Sequence, residues 1–141
     1  MSLGVVATST VRGEELMRAD DTNAGAVGLG RGLYAEHCAS CHGANLEGQE
    51  NWKKELPEGG RPAPPHDQTG HTWHHDDVLL FTITKLGPRA FDTGDYVYRM
   101  PAFENVLDDH EIWSVLAFIK STWPDDEREY QRQLNHNRGI E

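Results

Sequence analysis

The sequence predicts an all-α fold, and three observations support this. Apolar residues recur at helical spacing in several segments, and these segments begin at capping residues and end at glycine or proline. No stretch alternates between apolar and polar residues as a β-strand would. The 141 residues include 14 glycines and 7 prolines, and 37% of them are hydrophobic. We therefore expect one small domain with a thin apolar core and many loops.

The first predicted helix runs from about residue 26 to residue 38. Four of its residues lie near one face: Leu29, Leu33, Tyr34 and His37. Gly30, one turn before Tyr34, lowers helix propensity by about 1 kcal/mol relative to alanine. A glycine at this point therefore needs a packing reason, such as a second helix that crosses close by.

The second predicted helix covers residues 76–86. Asp76 or Asp77 can cap its first turn, and Gly87 followed by Pro88 stops it. Its apolar face is expected to consist of Val78, Leu79, Ile83 and Leu86.

Two further helices are predicted near the C-terminal end of the sequence. Asp108 followed by Glu111 forms a capping-box pattern, and four apolar residues follow at helical spacing: Ile112, Val115, Leu116 and Ile119. This third helix ends at Trp123-Pro124. A fourth, charged helix is expected with Pro124 at its first position and its end near Leu134.

Residues 38–42 read Cys-Ala-Ser-Cys-His, which is the attachment motif of a c-type haem. Each thiol of Cys38 and Cys41 can form a thioether with one vinyl group of the porphyrin, and His42 then becomes the proximal iron ligand. A redox disulfide or half of a zinc site is the alternative. Zinc of the ribbon type needs a second pair of ligands at similar spacing, and the chain has no other cysteine. The motif therefore favours haem.

Met100 is the predicted second axial ligand. A six-coordinate electron-transfer haem needs a donor on the far side of the ring, and a thioether favours ferrous iron. Pro101 biases Met100 away from helical geometry, which suits a loop lying across a haem face. Met1 is the start of the chain, and Met17 lies before the haem motif in a short polar segment. The alternative is that Met100 is an ordinary core methionine.

The net charge of −10 argues against binding to nucleic acids or to anionic lipid surfaces. It favours docking onto a basic patch of a partner protein, with an association that weakens as salt increases. Residues 3–11 form only a short, interrupted apolar stretch, so the sequence shows neither a signal peptide nor a membrane span. We expect the chain to be a mature or trimmed form with an added start.

The chain resembles the class I cytochromes c, which are small all-helical electron carriers with one haem. Gly30, Tyr34 and Cys38 reproduce the spacing of a glycine and an aromatic residue before the first cysteine of that family. Phe118 is the candidate for the aromatic residue of the last helix that packs on the glycine. Met100, followed by proline, matches the axial methionine loop.

The resemblance covers residues 26–123. It implies the class I cytochrome c fold, in which helices wrap around one covalently bound haem. Residues 1–25 are then an N-terminal extension, and residues 124–141 are a charged C-terminal tail that is expected to be helical.

The resemblance also implies roles for residues after the haem motif. In the family, a proline-rich turn offers a backbone carbonyl to Nδ1–H of the proximal histidine, and Pro64 is the expected residue here. That bond orients the ring and makes it a better donor. Trp73 and neighbouring polar groups are expected to satisfy the haem propionates, and His66 stands where a leucine often packs against the haem.

Five histidines other than His42 crowd the haem region: His37, His66, His71, His74 and His75. We expect His74 and His75 to cap the following helix or to face water, since no His-x₃-His spacing lies on a helix. The alternative is that two of the five form a metal site or supply a different axial ligand.

The resemblance implies outer-sphere transfer of single electrons between redox proteins, through one haem c with His42 and Met100 as iron ligands. No enzymatic activity is expected, and the partners would be a terminal oxidase, a reductase or a dehydrogenase. Because c-type haem is attached outside the cytoplasm, the protein is expected to be exported, for instance to the periplasm. A tight complex would instead indicate a subunit of a larger oxidoreductase, and ready binding of carbon monoxide would indicate a ligand sensor or peroxidase.

Overall fold

The computed structural model describes residues 18–92 and 94–140. Five α-helices lie in these ranges: α1 (Ala24–His37), α2 (Ala39–His42), α3 (Asp77–Leu86), α4 (Asp109–Ser121) and α5 (Asp125–Asn137). Short 3₁₀ turns at Thr72–His74 and Pro88–Phe91 flank α3. Within the described ranges there is no β-strand, which confirms the all-α class, and no helix there has the length and apolar character needed to cross a membrane.

Helices α1 and α4 form the main helix pair and cross at Gly30. The side chain of Asn23 caps α1 by accepting a hydrogen bond from the N–H of Ala26 at 3.0 Å. A Cβ added to Gly30 would lie 1.8 Å from the carbonyl oxygen of Ser114 in α4. Only a residue without a side chain lets the two helix backbones come this close. This close approach is the packing reason that we expected for a glycine at this position.

Helix α4 is the centre of the core, because residues 112–120 are all buried. The predicted capping box is present at its start. The N–H of Glu111 donates to the Asp108 carboxylate at 2.8 Å, and the N–H of Asp108 donates to the Glu111 carboxylate at 2.9 Å. Both bonds satisfy N–H groups that a helix start leaves without partners.

Helix α3 begins where predicted, with Asp76 as its N-cap, but it packs through a different face. Phe81 stacks on Trp113 of α4, with 4.3 Å between ring centroids. Val78 and Leu86, which were expected on the apolar face, are 47% and 41% exposed. The prediction was wrong for these two residues because the contact with α4 selects the neighbouring face of the helix.

Several helix boundaries differ from the prediction. Helix α1 starts at Ala24, two residues early, and Leu29, which was placed on the same face as Leu33 and Tyr34, is 40% exposed. Helix α5 has Pro124 as its N-cap rather than its first residue, and it continues beyond Leu134 to Asn137. Helix ends are the least determined part of a local pattern, since caps and fraying compete there.

Helix α5 packs against the rest of the fold through polar residues. Gln131 is 0% exposed and Asn135 is 8% exposed. The side chain of Gln131 donates to the carbonyl of His75 at 3.0 Å, and the side chain of Asn135 accepts from the N–H of Asp77 at 2.9 Å. The C-terminal helix is thereby fastened to the start of α3.

Candidate functional site

Residues 38–42 form a helical turn directly after α1. The N–H of Cys38 donates to the carbonyl of Tyr34, and the N–H of His42 donates to the carbonyl of Cys38, both at 2.9 Å. Neither cysteine forms a disulfide, and Cys41 is exposed. Burial raises the pKa of the Cys38 thiol to about 11, with a further contribution from Cys41. The turn brings both thiols and the imidazole of the motif together.

His42 is buried, and one nitrogen of its ring is held by Pro64. Nδ1 of His42 lies 2.8 Å from the carbonyl oxygen of Pro64, the acceptor expected from the family resemblance. Burial lowers the pKa of His42, and this hydrogen bond opposes that shift. When Nδ1 donates to the carbonyl, Nε2 is the nitrogen left to bind a metal ion.

The proline turn is positioned by Gly48, which the sequence analysis missed. Gly48 has a φ of 68°, and a Cβ there would lie 2.5 Å from the nitrogen of Pro65 and 2.7 Å from the carbonyl carbon of Pro64. Its N–H donates to the carbonyl of His42 at 2.7 Å. Gly48 therefore connects the motif to the carbonyl that bonds Nδ1. The only local signal for this role in the sequence is that residue 48 is a glycine.

His66 lies against the ring of His42. The ring centroids are 4.0 Å apart and the ring planes are inclined by 30°. Nδ1 of His66 is 2.7 Å from Oγ1 of the buried Thr72. Burial lowers the pKa of His66 well below its ordinary value, and the neighbouring His42 and His71 lower it further. A neutral imidazole with a fixed hydrogen bond therefore stands beside His42.

Met100 is partly buried in an apolar cluster built from three helices. It packs against the group that contains Phe103 and Trp113, and so do Leu33 of α1 and Phe81 of α3. Its thioether therefore lies among core residues rather than on an isolated surface loop.

The loop around Met100 is fastened on both sides. Before it, the guanidinium of Arg99 pairs with Glu58 at 3.2 Å. After it, the N–H of Phe103 reaches the last carbonyls of α3 at 3.1 Å. These contacts restrict where the thioether can be. The other internal methionine, Met17, lies outside the described residues.

Trp73 lies in the 3₁₀ turn before α3, and its N–H has a backbone partner. Its Nε1 donates to the carbonyl of Gln68 at 3.2 Å. The indole stacks on His74 with 3.7 Å between centroids, and it meets the ring of Tyr130 in α5 edge-on at 5.3 Å. The structure therefore ties Trp73 to α5, and its contact with haem propionates stays a prediction.

The remaining histidines have separate surroundings. His71 lies edge-on to His75 at 5.5 Å, His74 is exposed, and His37 lies 6.5 Å from the ring of Phe103. In the described part of the chain, no group of three or more His, Cys, Asp or Glu residues is arranged to hold a metal ion. The cap of α3 is Asp76 rather than His74 or His75.

The residues of this site fit a covalently bound haem. Two free thiols two residues apart on one helical turn can form two thioethers, and the adjacent buried imidazole has one nitrogen engaged by a backbone carbonyl. Leu33 packs against both apolar clusters, the one that includes Met100 and the one that includes Cys38. Two thiols and a buried imidazole on one helical turn suit a haem better than a hydrated ion.

Comparison with known proteins identifies one family. A family model described as cytochrome c matches residues 27–123, which is most of the chain. No curated protein and no solved structure matches the chain significantly.

Proposed function

Since the chain belongs to the cytochrome c family, we propose that it is a single-electron carrier with one haem c whose axial ligands are His42 and Met100. The family binds haem c covalently through thioether bonds to the cysteines of its motif, so haem c is the cofactor of this chain. When bound, it supplies a one-electron ferric–ferrous couple. The observation that carries the proposal is the buried His42, which directly follows the paired thiols and is bonded through Nδ1 to Pro64.

In this proposal, Cys38 and Cys41 hold the porphyrin and His42 binds the iron through Nε2. Pro64 fixes the ring of His42 and increases its basicity through the 2.8 Å bond at Nδ1. The protein thereby keeps the proximal ligand in one orientation during electron transfer, which keeps the rearrangement of the site small.

Met100 is proposed to supply a thioether as the second axial ligand, opposite His42. Its partial burial and the backbone hydrogen bonds from Phe103 to the end of α3 support this role, since a ligand that is held in place exchanges less readily with water or small molecules. A thioether favours ferrous iron and so raises the reduction potential. Trp73 is proposed to contribute to the propionate environment.

The partners that we propose are redox proteins with a basic docking patch, such as a terminal oxidase, a reductase or a dehydrogenase. The net charge of −10 supports this choice. We place the protein in an exported compartment, for instance the periplasm, because members of the family are usually found there.

Three measurements on the purified protein test the proposal. Haem should stay with the chain during acid–acetone extraction, and the variant Cys38→Ala/Cys41→Ala should lose it. A potentiometric titration should follow a one-electron curve, and the ferrous form should resist carbon monoxide. Ready binding of carbon monoxide would favour a ligand sensor or peroxidase, and stable copurification with a catalytic subunit would favour a component of a larger oxidoreductase.

A further inference from the structure

The face of the His42 ring is covered by a second imidazole. The rings of His42 and His66 are 4.0 Å apart between centroids and inclined by 30°, so His66 contacts the face of the His42 ring rather than its edge. The bond from Nδ1 to Pro64 fixes one atom of the His42 ring. The bond at Nδ1 orients the ring from its edge, and the contact with His66 restrains its rotation from the face.

His66 is itself held at three points. Nδ1 of its ring pairs with Oγ1 of Thr72 at 2.7 Å. Its backbone N–H donates to the carbonyl of Leu46 at 2.8 Å, and its carbonyl accepts from the indole N–H of Trp123 at 2.7 Å. Thr72 is buried, 6% exposed, in the 3₁₀ turn before α3. The backbone of His66 is therefore held at two points, and its ring is held by Thr72.

We propose that His66, held by Thr72, is a positioning residue that fixes the plane of the His42 ring and thereby the orientation of the proximal imidazole above the haem. The inference rests on the proposed function, because it takes His42 as the proximal ligand. It also assigns His66 to the proximal side: a ring stacked on His42 is on the wrong side of the haem to act as the opposite ligand.

The same pair has an expected effect on the reduction potential. A polar, hydrogen-bonded ring against the proposed iron ligand would favour the more positively charged ferric form, since hydrogen bonding and local polarity around the ligands are among the factors that set the potential of a haem. Replacement of His66 by leucine removes that polarity together with the planar ring that lies on the face of His42. The potential of His66→Leu should therefore be higher than that of the wild-type protein.

The test compares proton NMR spectra of ferric protein with haem attached, because the pattern of the shifted haem methyl resonances depends on the plane of the axial imidazole. His66→Leu should change this pattern and raise the potential. Thr72→Val should also change the methyl pattern, because it leaves Nδ1 of His66 without the partner that holds the ring. Thr72→Ser, which keeps the hydroxyl, should retain the wild-type pattern.

An unchanged methyl pattern and potential in both His66→Leu and Thr72→Val would overturn the inference. If His66→Leu does not fold, the comparison of Thr72→Val with Thr72→Ser tests the inference instead. Identical spectra for these two variants would also overturn the inference. A failure of the proposed function can be distinguished from a failure of this inference. It would be seen in the wild-type protein, as missing haem or as a ferric spectrum without a methionine ligand.

Discussion

Gly30 of α1 is in backbone contact with Ser114 of α4: a Cβ at Gly30 would lie 1.8 Å from the Ser114 carbonyl oxygen. One turn later, the ring of Tyr34 lies 5.4 Å from that of Phe118. The hydroxyl of Tyr34 donates to the carbonyl of Gly43 at 2.8 Å, directly after the haem motif. The helix crossing therefore sets the position of the turn that carries the thiols and His42.

The first prediction concerns this crossing. Gly30→Ala should lower the free energy of unfolding by about 1–3 kcal/mol or more, because the methyl group meets rigid backbone. Gly28 and Gly32 lie on the same helix with open space around them, so Gly28→Ala and Gly32→Ala should each raise it by about 0.5–1 kcal/mol. Denaturant unfolding of the haem-loaded protein measures all three. Equal effects at the three positions would contradict the crossing.

The second prediction is that Met100→Ala removes the sixth ligand. The weak far-red sulfur-to-iron band of the ferric protein should disappear, the potential should fall, and the ferrous form should bind carbon monoxide. Met17→Ala is the matched control and should change none of these. Persistence of the band in Met100→Ala would show that another sulfur ligand holds the iron, and a bis-histidine spectrum of the wild-type protein would assign that place to a histidine.

The third prediction concerns the buried ion pair between α3 and α4. Nζ of Lys120 lies 2.8 Å from the carboxylate of Asp77 and donates to the carbonyl of Ala19 at 3.0 Å, and both charged groups are almost fully buried. Lys120→Met should lower the free energy of unfolding by about 3–5 kcal/mol, because it leaves a carboxylate buried without a partner.

A double-mutant cycle separates the two partners of this pair. Lys120→Met combined with Asp77→Asn should be less destabilised than the sum of the single variants, because the uncompensated charge is gone. Arg132→Ala, which removes an exposed pair with Glu129, should have little effect. Additive effects of the first two changes would mean that the pair does not interact.

The fourth prediction is a pH dependence of stability that involves His75. Burial lowers the pKa of His75, and the nearby His71 and His74 lower it further, whereas Asp76 acts in the opposite direction. On the side of α5, Arg138 pairs with Asp76 at 3.3 Å. Because the unfolded chain binds this proton more readily than the folded one, stability should rise with pH between about 5 and 7.

His75→Asn isolates the contribution of that histidine. The variant keeps the backbone carbonyl that Gln131 uses, and its free energy of unfolding should depend less steeply on pH than that of the wild type. Parallel curves for the two proteins would exclude His75 as a source of the dependence.

The fifth prediction concerns docking. With a net charge of −10, electron transfer to a basic redox partner should slow as the ionic strength rises from about 10 to 200 mM, because the Debye length shortens from about 30 Å to below 8 Å. Stopped-flow rates at constant pH measure this. A rate that does not change with salt would mean that the contact is apolar.

Local sequence patterns were sufficient to predict the structure wherever the interacting groups lie within one or two helical turns of each other. Asp108 and Glu111 form the capping box, Asp76 caps α3, and Cys38 to His42 form one turn. In these cases the physical cause is a short-range hydrogen bond or backbone preference, which adjacent residues determine by themselves.

Contacts between distant segments could not be predicted from local sequence patterns. The face of α3 that packs on α4, the bond from Asn135 to Asp77 and the position of Gly48 under the proline turn all depend on how the helices are placed. No local pattern encodes them, since the partners lie many residues apart.

The sequence by itself determined the all-α class, the helix caps and the attachment motif, because each depends on residues that are neighbours along the chain. Only the tertiary structure decided that His66 faces the ring of His42, that Lys120 finds Asp77 and that α5 closes onto the start of α3. These relationships depend on the packing of α1, α3, α4 and α5, which brings side chains together across distances that no short-range pattern spans.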